Sequence, residues 1–250
     1  MPQTADEYGR ADLHLHTRAS DGLMTAEALI DYVEWRTALD VIAITDHDEL
    51  TAALQARDRA RRLGYRVQVI PGVEVSTRQG HLLALFVEAR PPAFRSYEET
   101  AEFVLAHGGL CIAPHPFARI THSVTPDVLA SAARRGLIAA VEVWNPSPAG
   151  RLSRAKALRF AAEHRIATVG ASDAHWARIV GMARTLFPGT TPADLRQALE
   201  QRTAVAEGRF ARLVELAAEA VPQTIWATGI QPLRRLSMYA RDLRSARSAA

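Results

Sequence analysis

The chain has 250 residues, 48% of them hydrophobic and 23% charged, with a formal net charge of +3. That is enough apolar material for a sizeable core, and the length fits one domain, since α/β barrels reach this size undivided. The chain has no run near the roughly 18 apolar residues of a membrane span and no basic segment leading into an apolar one at its start. Its one cysteine, Cys111, cannot close an internal disulfide, so a reducing cytoplasm is the expected setting.

Residues 1–9 read as a loose terminus, and Ala11–Leu15 predicts the first strand. Thr25 is placed to cap a helix, with Glu27 in its first turn and Leu29, Tyr32 and Val33 at helical spacing. The apolar run Val41–Ile44 predicts a buried strand ending in Thr45-Asp46-His47-Asp48, and a helix from Glu49 to Leu63 stops at Gly64. Val67–Val75 predicts the third strand, broken by Pro71-Gly72 and carrying Glu74. After a turn at 77–80, His81 opens the strand Leu82–Val87. Helix Tyr97–His107, strand Leu110–Ala113, helix Pro126–Arg135, strand Ile138–Val143, helix Arg151–His164 and strand Ile166–Val169 follow. Strands alternating with helices argue for βαβ units and a mostly parallel sheet. Beyond His175 the pattern weakens to a helix Pro192–Gln201, a short strand Ala204–Glu207 and a helix Arg209–Ala220. Pro222 and Pro232 break up a C-terminal helical tail carrying Arg234, Arg235, Arg241, Arg244 and Arg247. Such a basic tail is either a solvated helix face or a contact for nucleic-acid ends.

Chemistry concentrates at the strand ends. His14 and His16 stand at i and i+2, which on a strand point the same way. His14/His16, Asp46/His47, Glu74, His115 and Asp173/His175 each lie at or just past the end of a predicted strand. In a parallel barrel those ends converge on one face. A hairpin of the third and fourth strands adds His81 beside Glu74. His107, His122 and His164 fall in helix or loop context and read as structural or exposed. Imidazoles mixed with carboxylates suit Zn, Mn or Fe. Eight or nine such ligands supply two or three ions, with a carboxylate such as Glu74 able to bridge a pair. Paired divalent ions of this kind hydrolyse phosphate esters.

The remaining polar residues have two readings each. Asp21 before Gly22 is a turn residue or a ligand. Asp46 caps the following helix or orients His47. Glu142 and Asn145 are loop residues or part of the site. His115 between Pro114 and Pro116 is held in one direction by its neighbours. Arg119 and Arg178 are surface charges or grips for a phosphate.

Six blocks, in order, resemble the PHP (polymerase and histidinol phosphatase) metallophosphoesterases. They are Asp12-Leu-His-Leu-His-Thr17 with Ser20-Asp21-Gly22, Ile44-Thr-Asp-His-Asp48, Pro71-Gly-Val-Glu-Val-Ser76, His81-Leu-Leu-Ala-Leu85, Pro114-His-Pro116 and Ser172-Asp-Ala-His175. Their wording is similar to the stand-alone branch acting on nucleotides and RNA ends. The resemblance implies a distorted (β/α)7 barrel with a trinuclear centre. His14, His16, Glu74 and Asp173 would hold the first metal, Glu74, His81 and His115 the second, and Asp21, His47 and His175 the third. Where the nucleotide branch carries a long insertion after the His81 strand, this chain has room for one helix and its loops. The expectation is one PHP domain over residues 10–220, with the motifs in 10–190, and a basic helical tail over 221–250. Its activity would be hydrolysis of small phosphate esters or nucleotides by a metal-bound hydroxide. The alternatives are a 5′–3′ exonuclease on RNA or DNA ends, a histidinol-phosphatase-like monoesterase, and, from a different class, a non-catalytic binding module.

Overall fold

A computed structural model of the chain describes residues 8–118, 121–230, 236, 239–240 and 242–243. In order, the elements are β1 (Tyr8–Leu15), α1 (Ala26–Arg36), β2 (Val41–Ile44), α2 (Thr51–Leu63), β3 (Gln68–Thr77), β4 (Gly80–Leu85), α3 (Tyr97–Ala106), β5 (Leu110–Ala113), α4 (Pro126–Arg134), β6 (Ala140–Trp144), α5 (Pro148–His164), β7 (Ala167–Gly170), β8 (Ala183–Pro188), α6 (Pro192–Gln201), β9 (Val205–Gly208) and α7 (Leu213–Ile225). A short 3-10 turn, Ala177–Ile179, precedes β8, and a π-helical turn, Trp226–Ile230, continues α7.

The strands form one sheet in the order β7-β6-β5-β4-β3-β2-β1-β8-β9. The pairs β1–β2, β2–β3, β5–β6 and β6–β7 are parallel, and β3–β4, β4–β5, β1–β8 and β8–β9 are antiparallel. The expected mostly parallel sheet is therefore half antiparallel. The tight 77–80 turn lets β4 fold straight back on β3, and β8 returns beside β1. The sheet curls until β7 meets β8: Thr185 Oγ1 donates to the Gly170 carbonyl at 3.0 Å and accepts its N–H at 3.2 Å. Gly170 makes that approach feasible, because a Cβ there would lie 2.5 Å from the Arg184 carbonyl and 2.7 Å from that of Glu207. The result is the distorted barrel that the motifs imply.

Alternation along the strands divides the apolar residues into two sets. Ala11, Leu13, Val41, Ala43, Ile70, Leu83, Leu85 and Ile112 fill the barrel, and α6 plugs its lower end with Leu195 and Leu199. Leu15, Ile42, Ile44, Val73, Val75 and Val141 face the surrounding helices. Full burial of each such side chain contributes about 1.5–3 kcal/mol. Local signals fix the helix starts. Thr25 accepts the Ala28 N–H, Ser96 and Glu99 form a capping box, and Ser147 accepts the Gly150 N–H.

Several boundaries differ from expectation. β1 begins at Tyr8, because the Gly9 N–H donates to the Gly189 carbonyl at 2.7 Å. Helix α5 starts three residues early, with Pro148 in its first turn, where a proline lacks no needed N–H. Strand β8 was not anticipated; its alternation of buried Ala183, Thr185 and Phe187 is its only sequence trace. Helix α7 runs through Pro222 to Ile225 and so crosses the expected division at 220/221. The basic residues Arg234, Arg235, Arg241, Arg244 and Arg247 lie outside the described residues. Among the described residues no helix is long and apolar enough to cross a membrane.

Candidate metal centre

The site is built at the C-terminal ends of the strands. β1 pairs with β2 through a register irregularity between Asp12 and Leu15. Leu13 belongs to the barrel interior and Leu15 to the helix-facing set, so the pleat changes side there, and His14 and His16 come onto the interior face. Their rings stand 5.0 Å apart. β2 delivers His47, β3 Glu74, the returning β4 His81, β5 His115, and β7 Asp173 and His175, while Asp21 comes from the loop after β1.

Glu74 is the centre of this arrangement. Its side chain is 1% exposed. Oε2 lies 3.2 Å from His14 Nε2, 3.3 Å from His16 Nε2 and 3.2 Å from His47 Nδ1. Oε1 lies 2.8 Å from His81 Nδ1 and 3.1 Å from His115 Nε2. One carboxylate therefore serves five imidazoles, three on one oxygen and two on the other. Asp173 Oδ1 closes one side, 3.4 Å from His14 Nε2 and 3.2 Å from His16 Nε2. Asp21 closes the other, with Oδ2 3.0 Å from His175 Nε2 and 3.7 Å from His47 Nε2. All nine expected ligands thus share one cage.

A second layer of side chains aims the ligands. Glu142 Oε2 sits 3.1 Å from His14 Nδ1, leaving Nε2 to face the cage. Glu142 Oε1 accepts from Asn145 Nδ2 at 2.7 Å, and that amide also donates to Asp173 Oδ2 at 3.3 Å. The Asp173 carbonyl is 2.9 Å from His175 Nδ1, and the Ser123 hydroxyl is 3.0 Å from His115 Nδ1. Asp46 neither caps α2 nor touches His47. Its carboxylate accepts the Thr17 N–H at 2.7 Å, the Thr17 hydroxyl at 2.6 Å and the Ser20 N–H at 3.0 Å, and so shapes the loop that carries Asp21. Asp12 does the same for the opposite loop through the Ser172 and Gly181 N–H groups, at 2.9 and 2.8 Å. His115 and Asp173 hold positive φ angles, 28° and 52°; outside glycine such backbone costs about 1–3 kcal/mol and gathers at functional sites.

The cage attracts positive charge. Burial alone would raise the Glu74 pKa, but His81, His47 and His14 hold it well below the usual carboxylate range. Burial likewise opposes a charged His16, yet Asp173, Asp21 and Glu74 lift its pKa to about 10. His47, more desolvated than compensated and beside His16 and His81, falls to about 3. His16 Nε2, His47 Nδ1 and His81 Nδ1 are buried without a hydrogen-bond partner. Imidazole lone pairs with carboxylate oxygens between them are a donor set for divalent cations. The ligand atoms group as His14/His16/Glu74, His14/His115/Asp173, His47/Glu74/His81 and His16/Asp21/His47/His175. The residues present fit divalent metal ions.

The two arginines behave differently. Arg178 is exposed on the 3-10 turn after His175 and bonds to none of the cage residues; Arg119 lies outside the described residues. His122 is exposed, as expected, but its ring stands 5.0 Å from that of His81 and its carbonyl accepts the His81 N–H at 2.8 Å. His107 and His164 pack on Phe103 and Phe160, away from the cage. Sequence reasoning left Glu142 and Asn145 open; a carboxylate and an amide on a strand end, flanked by apolar β6 residues, were the available signal. It missed the C-terminal contacts altogether. Gln223 Nε2 lies 3.5 Å from Asp21 Oδ2, and Trp226 Nε1 donates to the Ser20 carbonyl at 3.0 Å. Further on, Asp242 takes both terminal nitrogens of Arg90 at 2.9 Å.

A family model described as PHP-associated matches residues 151–204, the stretch from α5 to just before β9. An uncharacterized protein of Methanocaldococcus jannaschii is 34% identical over 121 residues, covering 44% of this chain and 70% of that one. The 5′-3′ exoribonuclease Rnm of Salmonella typhimurium is 43% identical over 91 residues, covering 34% of this chain and only 30% of its own length. A Bacteroides vulgatus two-domain protein, described as containing a predicted PHP-like metal-dependent phosphoesterase, superposes with a TM-score of 0.67 at 21% identity, over 81% of this chain and 65% of that one. The motif order, the barrel and these matches agree: the chain belongs to the PHP family of metal-dependent phosphoesterases.

Proposed function

We propose that this protein hydrolyses phosphate esters of small molecules or nucleotides with two or three divalent ions, of the Mn, Zn or Fe class, held in the Glu74 cage. The observation that carries this reading is Glu74 itself, a buried carboxylate with three imidazoles on one oxygen and two on the other. His14, His16, Glu74 and Asp173 would hold one ion, Glu74, His81 and His115 a second, and Asp21, His47 and His175 a third. When bound, such ions polarise a phosphoryl group and make water acidic enough to attack near neutral pH.

The chain's own residues keep that site in register. Glu142 holds His14, the Asp173 carbonyl holds His175, and the Ser123 hydroxyl holds His115, each through the ring nitrogen turned away from the cage. Asn145 restrains Asp173 through Oδ2 and leaves Oδ1 facing the cage. Asp46 and Asp12 fix the two loops that close it. No side chain is assigned as general acid, because the six imidazoles of the cage itself face its centre.

A small substrate is favoured over a long strand by the C-terminal contacts. Gln223 and Trp226 lie against the Ser20–Asp21 loop at the cage's edge. Cleavage from the 5′ end of RNA is the second reading, supported by the likeness to the Salmonella exoribonuclease over 91 residues. A purely binding role is disfavoured, since all nine ligand positions carry ligand side chains. The test is turnover after chelation and return of Mn²⁺. The panel holds p-nitrophenyl phosphate, bis(p-nitrophenyl) phosphate, a nucleoside 3′,5′-bisphosphate, histidinol phosphate and a short 5′-phosphorylated RNA. Metal-restored hydrolysis that His16→Ala abolishes is expected. Full activity in His16→Ala would sink the assignment of the cage, and silence across the panel with metals bound would transfer the weight to a binding role.

A further inference from the structure

A second cluster of charge lies outside the barrel wall, beside β1 and β8. A cavity of about 200 Å³ is lined by Arg10, Tyr32, Arg36, Arg184 and residues 37–39 and 180–181. Arg10 is near the start of β1, Arg36 ends α1, and Arg184 is on β8. Arg10 and Asp12 alternate with the interior residues Ala11 and Leu13, so the cavity lies on the outer side of the barrel wall and the cage on the inner side. One phosphomonoester cannot reach both.

Three guanidinium groups line this cavity and no carboxylate does. Arg184 is paired with Glu207 at 2.7 Å. Among the described residues, Arg10 and Arg36 have no carboxylate partner. The neighbouring acid, Asp40, accepts the Arg10 backbone N–H at 2.8 Å and stands 3.4 Å from Arg66. Two carbonyls of the wall are occupied as well: Arg66 takes those of Thr37 and Leu39 at 3.3 and 2.7 Å. The lining therefore carries two arginines without a carboxylate partner, the half-buried Arg10 and the exposed Arg36. The C-terminal end of α1 opposes an anion with only about half an elementary charge. A water's share of volume is roughly 30 Å³, so the cavity has room for a tetrahedral oxyanion and its first waters.

We infer that this cavity is a second oxyanion site, one that binds a phosphate group through Arg10, Arg36 and Arg184, apart from the metal cage. Planar guanidinium forks match phosphate oxygens in pairs. The site is also wired to the metal end: Gly181 of its wall donates to Asp12 at 2.8 Å, and the same carboxylate accepts from Ser172, next to Asp173. The inference does not depend on the cage being catalytic.

The test is equilibrium dialysis of the full-length chain, stripped of metals by a chelator, against labelled inorganic phosphate. Saturable binding with a Kd of about 1 mM is the expected scale for so small a ligand. It should weaken about tenfold or more in Arg10→Gln/Arg36→Gln and remain in His16→Ala. The exposed Arg159→Gln is the control for general charge. If the neutral pair fails to fold, Arg10→Lys/Arg36→Lys keeps the charge and removes the forks, and a loss of about threefold is then expected. Binding unchanged in the arginine variants, binding lost only in His16→Ala, an equal loss in Arg159→Gln, or no saturation each overturns the site. Competition by a short oligonucleotide that vanishes in the same arginine variants assigns the phosphate to a nucleic-acid strand; competition by phosphate alone assigns it to the free ion.

Discussion

The cage and the segment lying at its edge are held in contrasting ways. Every cage residue but Asp21 is tied to the barrel by the strand end at or near which it stands. Most are tied a second time by a neighbour such as Glu142, Asn145, Ser123 or the Asp173 carbonyl. The C-terminal segment reaches the same face through a few isolated bonds, from Gln223, Trp226 and Asp242. Along α7, Leu213, Val214, Val221 and Ile225 are all more than half exposed. The contrast separates two jobs. Geometry that must hold charged groups together against desolvation is over-determined, whereas a cover needs few contacts and opens at little cost. Substitutions in the cage should therefore act on chemistry, and substitutions in the cover on access.

The strongest break of that contrast is Glu74→Gln. It removes the carboxylate shared by five imidazoles, and with it several kcal/mol of charge stabilisation, so turnover should fall by about 10³ or more. Metal content measured by mass spectrometry should fall in parallel. Turnover within tenfold of wild type would place the chemistry elsewhere.

Asp46→Ala should act through the fold instead. It strands the Thr17 N–H and hydroxyl in a buried loop and leaves the Ser20 N–H with the Thr17 carbonyl alone. A cost of about 3 kcal/mol, or roughly 6–12 °C in Tm, is expected. Calorimetry on the metal-free chain checks this, and an unchanged Tm would show that the loop holds itself. A milder probe is Glu142→Gln, which keeps the shape but loses the carboxylate on His14 Nδ1. Metal affinity should drop about 10–100-fold, as removal of such an outer partner typically does. A competition titration with a fluorescent chelator reads it directly, and unchanged affinity would remove Glu142 from the site.

These residues also mark how far sequence reasoning reaches. Most of the expected ligand positions were legible because they stand at or just past strand ends, and strand ends follow from short apolar runs such as Val41–Ile44 and Leu110–Ala113; Asp21, in the loop after β1, was singled out only by the family resemblance. Even the contribution of His81 followed from a turn short enough to force a hairpin. The role of Asp46 was not legible. Its partners, Thr17 and Ser20, are distant in sequence, and the loop's shape decides which donors its oxygens meet. The side change in β1 was hidden for the same reason, since a register irregularity depends on the neighbouring strand rather than on the run Ala11–Leu15. β8 escaped because its alternation is short and its partner, β1, is antiparallel and remote. The C-terminal contacts escaped because proline was taken to end a helix. Pro222 forfeits one backbone bond, and α7 continues past it into a π-helical turn that brings Trp226 to the Ser20 carbonyl.

Trp226→Ala is the smallest expected effect and the one that tests the cover itself. The substitution removes one indole hydrogen bond, a ring near the Arg18 guanidinium, and part of a half-buried contact. Together these are worth about 1–2 kcal/mol. If the segment limits access, turnover of p-nitrophenyl phosphate should stay within about twofold, because so small a substrate gains nothing from a looser edge. Hydrolysis of a short 5′-phosphorylated RNA should rise about five- to thirtyfold, as the energy spent on displacing the segment falls by that 1–2 kcal/mol. If the segment instead grips a strand, as the exonuclease reading would have it, the same variant should lower RNA turnover by a similar factor and leave the small ester untouched. The sign of the change on RNA alone thus separates a cover from a grip, and a change of equal size on both substrates would mean that Trp226 acts on the cage through the Ser20–Asp21 loop.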